Sequence, residues 1–336
     1  MKILENYSLQ KHNTFRIDVK AKRFIEYADS DELKLILSNP ELNARPLFHI
    51  GGGSNLLFTK DFDGTILHSA IKYIEVENET DDYADLKVGA GVIWDDVVIF
   101  CTEKDWRGAE NLSLIPGETG AAAVQNIGAY GAEIKNIIRK TDAVDIETGK
   151  ELTFENKDCR YAYRSSIFKN ELKNKAIITN VYFRLPKNIP FNVSYGTIEA
   201  EAKTFGEITA ENIRKAVISI RESKLPDPNV TGNAGSFFVN PVIDVDFYRK
   251  LLHKYPEMPH YQQSSDSVKI PAGWLIEQCG WKGKQIGNAA VHNKQALVLV
   301  NKGNATGDEI LNLSKMIQQS VNDKFGIKID PEVNIL

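Results

Sequence analysis

Apolar residues recur at helical spacing in the second half of the chain. Ile213, Ala216, Val217 and Ile220 predict an amphipathic helix over 209–224. It must stop at Leu225-Pro226-Asp227-Pro228, because each proline disfavours helix at the residue before it. Ile310, Leu313, Ile317 and Val321 predict a longer helix over 307–325, with Thr306 and Glu309 as a capping box and Gly326 as its end. A third helix is predicted over 271–279, with Pro271 in the first turn. Before residue 200, short apolar runs bounded by glycine predict strands at 47–50, 56–58, 86–88 and 177–185, and a short helix at 94–104. At the C-terminal end, Ile327, Ile329, Val333 and Ile335 share one parity, so Asp330, Glu332 and Asn334 project from the opposite face of a strand. Helices are too few for regular βαβ alternation, and the expected class is α+β. The composition changes near 200–207, where a domain boundary is expected.

At 336 residues the chain has room for two compact domains. With 41 basic and 45 acidic residues its net charge is −4, so no general field favours nucleic acid or an anionic membrane. The first residues hold no apolar core of signal-peptide length, and the three cysteines lie far apart, as expected of a protein of the cytoplasm. The six histidines show no ligand-like spacing, and no metal is expected.

Two glycine-dense runs stand out. Gly51, Gly52, Gly53, Ser54 and Asn55 sit between two predicted strands, where backbone N–H groups can meet a phosphate or simply make a hairpin turn. No helix follows, so this is not a dinucleotide fingerprint, and no Gly-Lys-Ser/Thr makes it a Walker loop. From Ile115 to Gly131 the chain reads IPGETGAAAVQNIGAYG, with four Gly and four Ala among these residues. Such density permits close approach, either of one backbone to another or of a backbone to a flat ligand. Gln125 and Asn126 add amides suited to the edge of a heterocycle. Together with GAGVIWDD the two runs favour a large cofactor.

Several polar residues have telling neighbours. Arg164 in YRSSIF is either paired inside the fold or holds a carboxylate or phosphate in its fork. Ser236 in GNAGSFF places a small hydroxyl at a constrained turn leading into a buried strand, or is an ordinary turn serine. Gly-x-Ser-x-Gly is absent, so a hydrolase nucleophile is not indicated. Glu332 in DPEVN is either a solvated strand residue or part of a site, and Lys224 closes a helix where a cation suits the dipole.

GGGSNLLF, NLSLIPGETGAAAVQNIGAYG, YRSSIFK, SYGTIEAE, KLPDPNVTGNAGSFFVNP, AGWLIEQCGWKGKQIGNAAVH, ALVLVN and PEVNIL occur in this order and span nearly the whole chain. Together they resemble the UDP-N-acetylenolpyruvoylglucosamine reductase (UDP-N-acetylmuramate dehydrogenase) family, in its longer, type I form. The resemblance implies an FAD-binding domain of the vanillyl-alcohol-oxidase (PCMH) type over 1–204, with a second subdomain from about 70. A smaller α+β substrate-binding domain over 205–326 and a C-terminal strand over 327–336 returning to the active site would follow. It implies non-covalent FAD held on Gly51, Gly52, Gly53, Ser54, Asn55, Ile115, Pro116, Gly117, Thr119, Gly120, Gln125, Asn126 and Gly128. Its catalytic positions fall on Arg164, Ser236 and Glu332, and its substrate contacts on Tyr195, Lys224, Asn240, Tyr261 and Gln285. One departure is Val239, where many relatives carry Lys.

The chemistry so implied is reduction of UDP-N-acetylglucosamine enolpyruvate to UDP-N-acetylmuramate by NADPH through FAD, in peptidoglycan precursor synthesis by a monomer. Hydride would pass from flavin N5 to the substrate C3, and Ser236 would give its proton to C2. Within enzymes the rival is a flavin oxidase on the same scaffold, and outside them a non-catalytic nucleotide-sugar or flavin binder that would lack one of the three catalytic positions.

Overall fold

The computed structural model describes residues 1–336. Eight helices are α1 (Ser30–Ser38), α2 (Trp94–Thr102), α3 (Thr119–Gln125), α4 (Ile198–Lys203), α5 (Ala210–Lys224), α6 (Val245–Lys254), α7 (Ala272–Gln278) and α8 (Gly307–Phe325). The chain divides into two compact units. Unit 1 holds Met1–Tyr7, Ala21–Gly52 and Phe62–Ser223, and unit 2 holds Ser8–Lys20, Gly53–Asp61 and Lys224–Leu336. Residues 205–223, expected from composition to open the second domain, group with unit 1, and two short early segments group with unit 2.

Unit 1 contains two sheets. In the first, the strand order is Lys2–Ser8, Lys20–Tyr27, Phe62–Ser69, Leu47–Ile50, and the last three run parallel. The second is antiparallel, in the order Glu151–Glu155, Ile138–Asp145, Ala176–Pro186, Tyr83–Gly89, Ile74–Glu79. Trp94, Val97 and Val98 of α2 and Ala122 and Ala123 of α3 pack with Leu86, Val88, Val181, Phe183 and Leu185 in one buried cluster. Alanines at the α3 positions let the helix lie close to the sheet, which places the glycine run around it. Ile213, Ala216, Val217 and Ile220 of α5 bury against Ile198 and Ala202 of α4, as their spacing predicts.

Unit 2 is built from short strands and α6 to α8. One sheet has the order Asn233–Ser236, Val298–Asn301, Ala289–Val291, Gln285–Ile286, and another Val242–Asp244, Ser267–Lys269, Tyr261–Gln262. Helix α8 has the expected bounds, and both arms of the Thr306/Glu309 capping box are formed. Ile310, Leu313, Ile317 and Val321 are all buried along its stripe, each worth about 1.5–3 kcal/mol relative to exposure. The predicted C-terminal strand is shorter than expected. Asn334–Ile335 pairs in parallel with Leu56–Leu57, and the stretch before it makes only an isolated antiparallel bridge, Pro331 opposite Phe238. Ile327, Ile329 and Val333 are buried as their parity requires, but Ile335 is exposed at this short pairing. Separate helical and mainly antiparallel layers make the class α+β. No helix is long and apolar enough to cross a membrane.

Candidate active site

The run that starts at Gly51 leaves its strand and changes units after Gly52. Gly53 has φ +68°, and a Cβ there would stand 1.9 Å from the His12 carbonyl oxygen, so only glycine fits. In unit 1 the two glycine-rich runs touch. A Cβ on Gly51 would lie 3.0 Å from the Ala121 Cβ, and one on Gly52 would lie 3.4 Å from the Gly117 Cα. Pro116 and Ala121 are exposed while Gly51, Gly52, Ile115 and Gly117 are half-buried, so backbone and small side chains line this surface.

Other members of the second run are turned inward. Thr119 is fully buried, and its hydroxyl donates to the Val92 carbonyl at 2.9 Å. Gly120 is buried and donates its backbone N–H to Ala90. Asn126 corrects the sequence reading. Its side chain is fully buried, donates to the Ala162 carbonyl at 2.8 Å and to Glu133, and accepts from the Lys135 N–H. Its backbone N–H closes the left-handed end of α3, and its side-chain amide, buried and bonded within the protein, has no edge left for a heterocycle. Gln125 is the last residue of α3, half-buried.

Arg164 sits at the corner of a tight turn whose arms exchange hydrogen bonds of 3.0 Å between Ala162 and Ser165. Its φ is +52°, a conformation costing a non-glycine residue on the order of 1 kcal/mol that clusters at functional sites. The turn is tied to α3 by the Asn126 bond to Ala162 and by the Ser166 hydroxyl, which donates to the Val124 carbonyl at 2.6 Å. The guanidinium donates to the Gly128 carbonyl, and a Cβ on Gly128 would come within 2.9 Å of it. Arg164 is therefore seated on the second glycine run, inside unit 1.

In unit 2, Asn233 accepts the Gly235 N–H at 2.9 Å, and Gly235 has φ +66°. This bulge turns Ser236 outward, exposed, while Phe237 and Phe238 are buried directly after it. Glu332 donates its backbone N–H to the Phe237 carbonyl at 2.8 Å, and Val239 donates to Asp330 at 2.9 Å. Asn55 holds the other side, its amide donating to the Glu332 carbonyl at 3.2 Å. Residues 236 and 332 are thus brought to adjacent positions, with the end of the first glycine run as their brace.

The remaining expected positions are dispersed over both units. Tyr195, half exposed in unit 1, meets Tyr130 edge-to-face at 6.0 Å. Lys224, Tyr261 and Gln285 are exposed in unit 2, and the Gln285 amide donates to the Gly287 carbonyl at 2.8 Å. Asn240 is half-buried and accepts the Ala272 N–H at 2.9 Å, capping α7.

A family model for the UDP-N-acetylenolpyruvoylglucosamine reductase C-terminal domain matches residues 227–336, and a model for an FAD binding domain matches residues 21–155. A UDP-N-acetylenolpyruvoylglucosamine reductase of Bacteroides fragilis is 53% identical over 332 residues, 99% of each chain. This chain belongs to the UDP-N-acetylenolpyruvoylglucosamine reductase family. Among solved structures, the family's enzyme from Thermus caldophilus matches 99% of this chain and 98% of its own, with TM-score 0.69 at 20% identity. A solvent-stable cholesterol oxidase matches 98% of this chain and 86% of its own, with TM-score 0.51 at 10% identity. Those two likenesses are of fold, and the fold is the PCMH type.

The surface where the two runs meet fits the FAD of this reductase family. Glycine backbones with alanine and proline beside them admit a flat ring and offer N–H donors to a diphosphate. Sequence reasoning missed what braces that surface. Asn111, only 1% exposed, donates to the carbonyls of Tyr130 and Asn192 at 2.8 Å each. It ties the end of the second run to the loop bearing Tyr195. Arg221 on α5 is held beside Tyr130; burial pulls its pKa down, and burial pushes the Tyr130 phenol up. Asn111 lies in the recognisable NLSLIPG stretch, but bonds to residues 19 and 81 positions away leave no periodic mark.

Proposed function

We propose that this chain reduces UDP-N-acetylglucosamine enolpyruvate to UDP-N-acetylmuramate with NADPH, as a cytoplasmic monomer supplying peptidoglycan precursors. Non-covalent FAD would supply the hydride chemistry between the two substrates. Residues 51–55 and the run from 115 to 128, Asn126 apart, would hold it, through backbone donors and a surface without bulky side chains. Residues 205–326 would contribute most of the nucleotide-sugar contacts, with 327–336 carrying Glu332.

Arg164 is a permanent cation with a planar fork. It would hold the substrate carboxylate as charge accumulates there, an effect worth roughly 3–4 kcal/mol per preorganised donor. Ser236 would give its proton to C2, and Glu332 beside it would polarise that hydroxyl or assist the enol. Tyr195 and Lys224 would clamp the diphosphate, with Asn240, Tyr261 and Gln285 completing the contacts.

The observation that carries this reading is the 2.8 Å bond from the Glu332 N–H to the Phe237 carbonyl, which makes positions 236 and 332 neighbours although 96 residues separate them. The experiment is a visible spectrum of purified protein. Yellow protein that bleaches with NADPH and regains colour anaerobically with the enolpyruvyl sugar supports the assignment. Colour that returns only with O₂ assigns an oxidase instead.

A further inference from the structure

Beneath the two glycine runs of unit 1 lies a buried histidine with a carboxylate on each ring nitrogen. His68 ends the strand Phe62–Ser69 and is 5% exposed. Its Nε2 is 2.8 Å from Glu118 Oε1, and its Nδ1 is 3.1 Å from Glu26 Oε2. A neutral imidazole has one N–H, so donation to two carboxylates requires the doubly protonated ring.

Glu118 belongs to the second glycine run and is itself only 7% exposed. It precedes α3 at the capping position, yet its side chain caps nothing there. It turns instead under the first run. Its Oε2 lies 3.3 Å from where a Cβ of Gly51 would stand, and its Cγ lies 3.9 Å from that of Gly52. This buried side chain therefore packs directly against Gly51 and Gly52.

We propose that His68, held between Glu26 and Glu118, is a positioning residue for the flavin: by fixing Glu118 it sets the separation of the two glycine runs that cradle FAD. The inference rests on the reading that FAD lies along those runs. Deprotonation of His68 leaves one N–H for two carboxylates, which weakens the hold on Glu118 and loosens the cradle.

Glu26 on the strand Lys20–Tyr27 and Glu118 before α3 bond His68, the Phe24 ring stacks on it at 5.9 Å, and His49 on Leu47–Ile50, itself bonded to the Tyr27 hydroxyl at 2.8 Å, feels its charge. Burial pushes the His68 pKa down, but the hydrogen bonds and charges of Glu118 and Glu26 outweigh it, so the pKa stands above the ordinary 6.5. His49 moves the other way. Burial, and then the His68 charge, push it down to about 3, which leaves it neutral. A raised pKa means the His68 contact is complete at low pH and lost as pH rises through that pKa.

The test measures the FAD dissociation constant of the full chain by flavin fluorescence, from about pH 6 to about pH 9, a range that spans histidine titration. His68→Gln and Glu118→Gln should each weaken FAD about tenfold, or 1.4 kcal/mol. The double variant should be no weaker than either single one, because both remove the same contact. Wild-type affinity should fall with rising pH, and His68→Gln should be flat. Single variants within about twofold of wild type, or a pH dependence that survives in His68→Gln, overturn the proposal. Gly52→Val tests the cradle apart from the histidine that supports it. If it loses FAD while the His68 and Glu118 variants keep it, the cradle stands and this proposal fails; if it keeps FAD, both fail.

Discussion

Replacing Asn111 by alanine removes the brace between the second glycine run and the Tyr195 loop. The two bonds it makes, to Tyr130 and Asn192, are both 2.8 Å, and the residue is 1% exposed, so water cannot take over easily. Each carbonyl left without a donor in such a place costs about 1–2 kcal/mol, and the pair about 2–4 kcal/mol. Urea unfolding of the FAD-saturated protein reads this as a lower midpoint with an unchanged slope. The loop it anchors carries Tyr195, so KM for the nucleotide sugar should rise at least about threefold while kcat for flavin reduction by NADPH stays within about twofold, since only a binding contact is displaced. A loss below about 1 kcal/mol would mean that those carbonyls find other partners at no cost and that Asn111 is no brace.

Two further substitutions isolate single effects. Arg164→Lys keeps the charge and the left-handed backbone (φ +52°) but loses the fork; reduction of the enolpyruvyl sugar should slow about 10²-fold in single-turnover absorbance traces, while FAD remains bound. Thr306→Ala removes one arm of the capping box on α8, whose hydroxyl accepts the Glu309 N–H at 3.2 Å; stability should drop about 1 kcal/mol by urea titration, with turnover unchanged.

What the sequence made legible follows local rules. Helix α8 announces itself through its cap, stripe and terminal glycine, and α5 through its apolar spacing and the double proline after it. The glycine runs were visible because few other needs concentrate so many small residues. What stayed hidden depends on pairs far apart in the chain. Residues 8–20 and 53–61 join unit 2 through contacts such as the Asn233 N–H to Thr14 and the tight approach of Gly307 to Phe58. No periodicity records these. Asn126 misled for a related reason: an amide beside a glycine run suits a ligand, but here it satisfies the backbone of Lys135 and, far along the chain, of Ala162. Ile335 shows the same limit, since parity assigns a face but not whether the strand pairs long enough to bury it.

Following Ser236→Ala through its two half-reactions in a stopped-flow spectrometer tests most directly proton donation from the hydroxyl at 236 to substrate. Bleaching of flavin colour by NADPH should keep its wild-type rate, while the return of colour on adding the enolpyruvyl sugar should slow by at least about 10²-fold, the usual loss of an acid catalyst. Equal slowing of both phases, or no slowing of either, would contradict it.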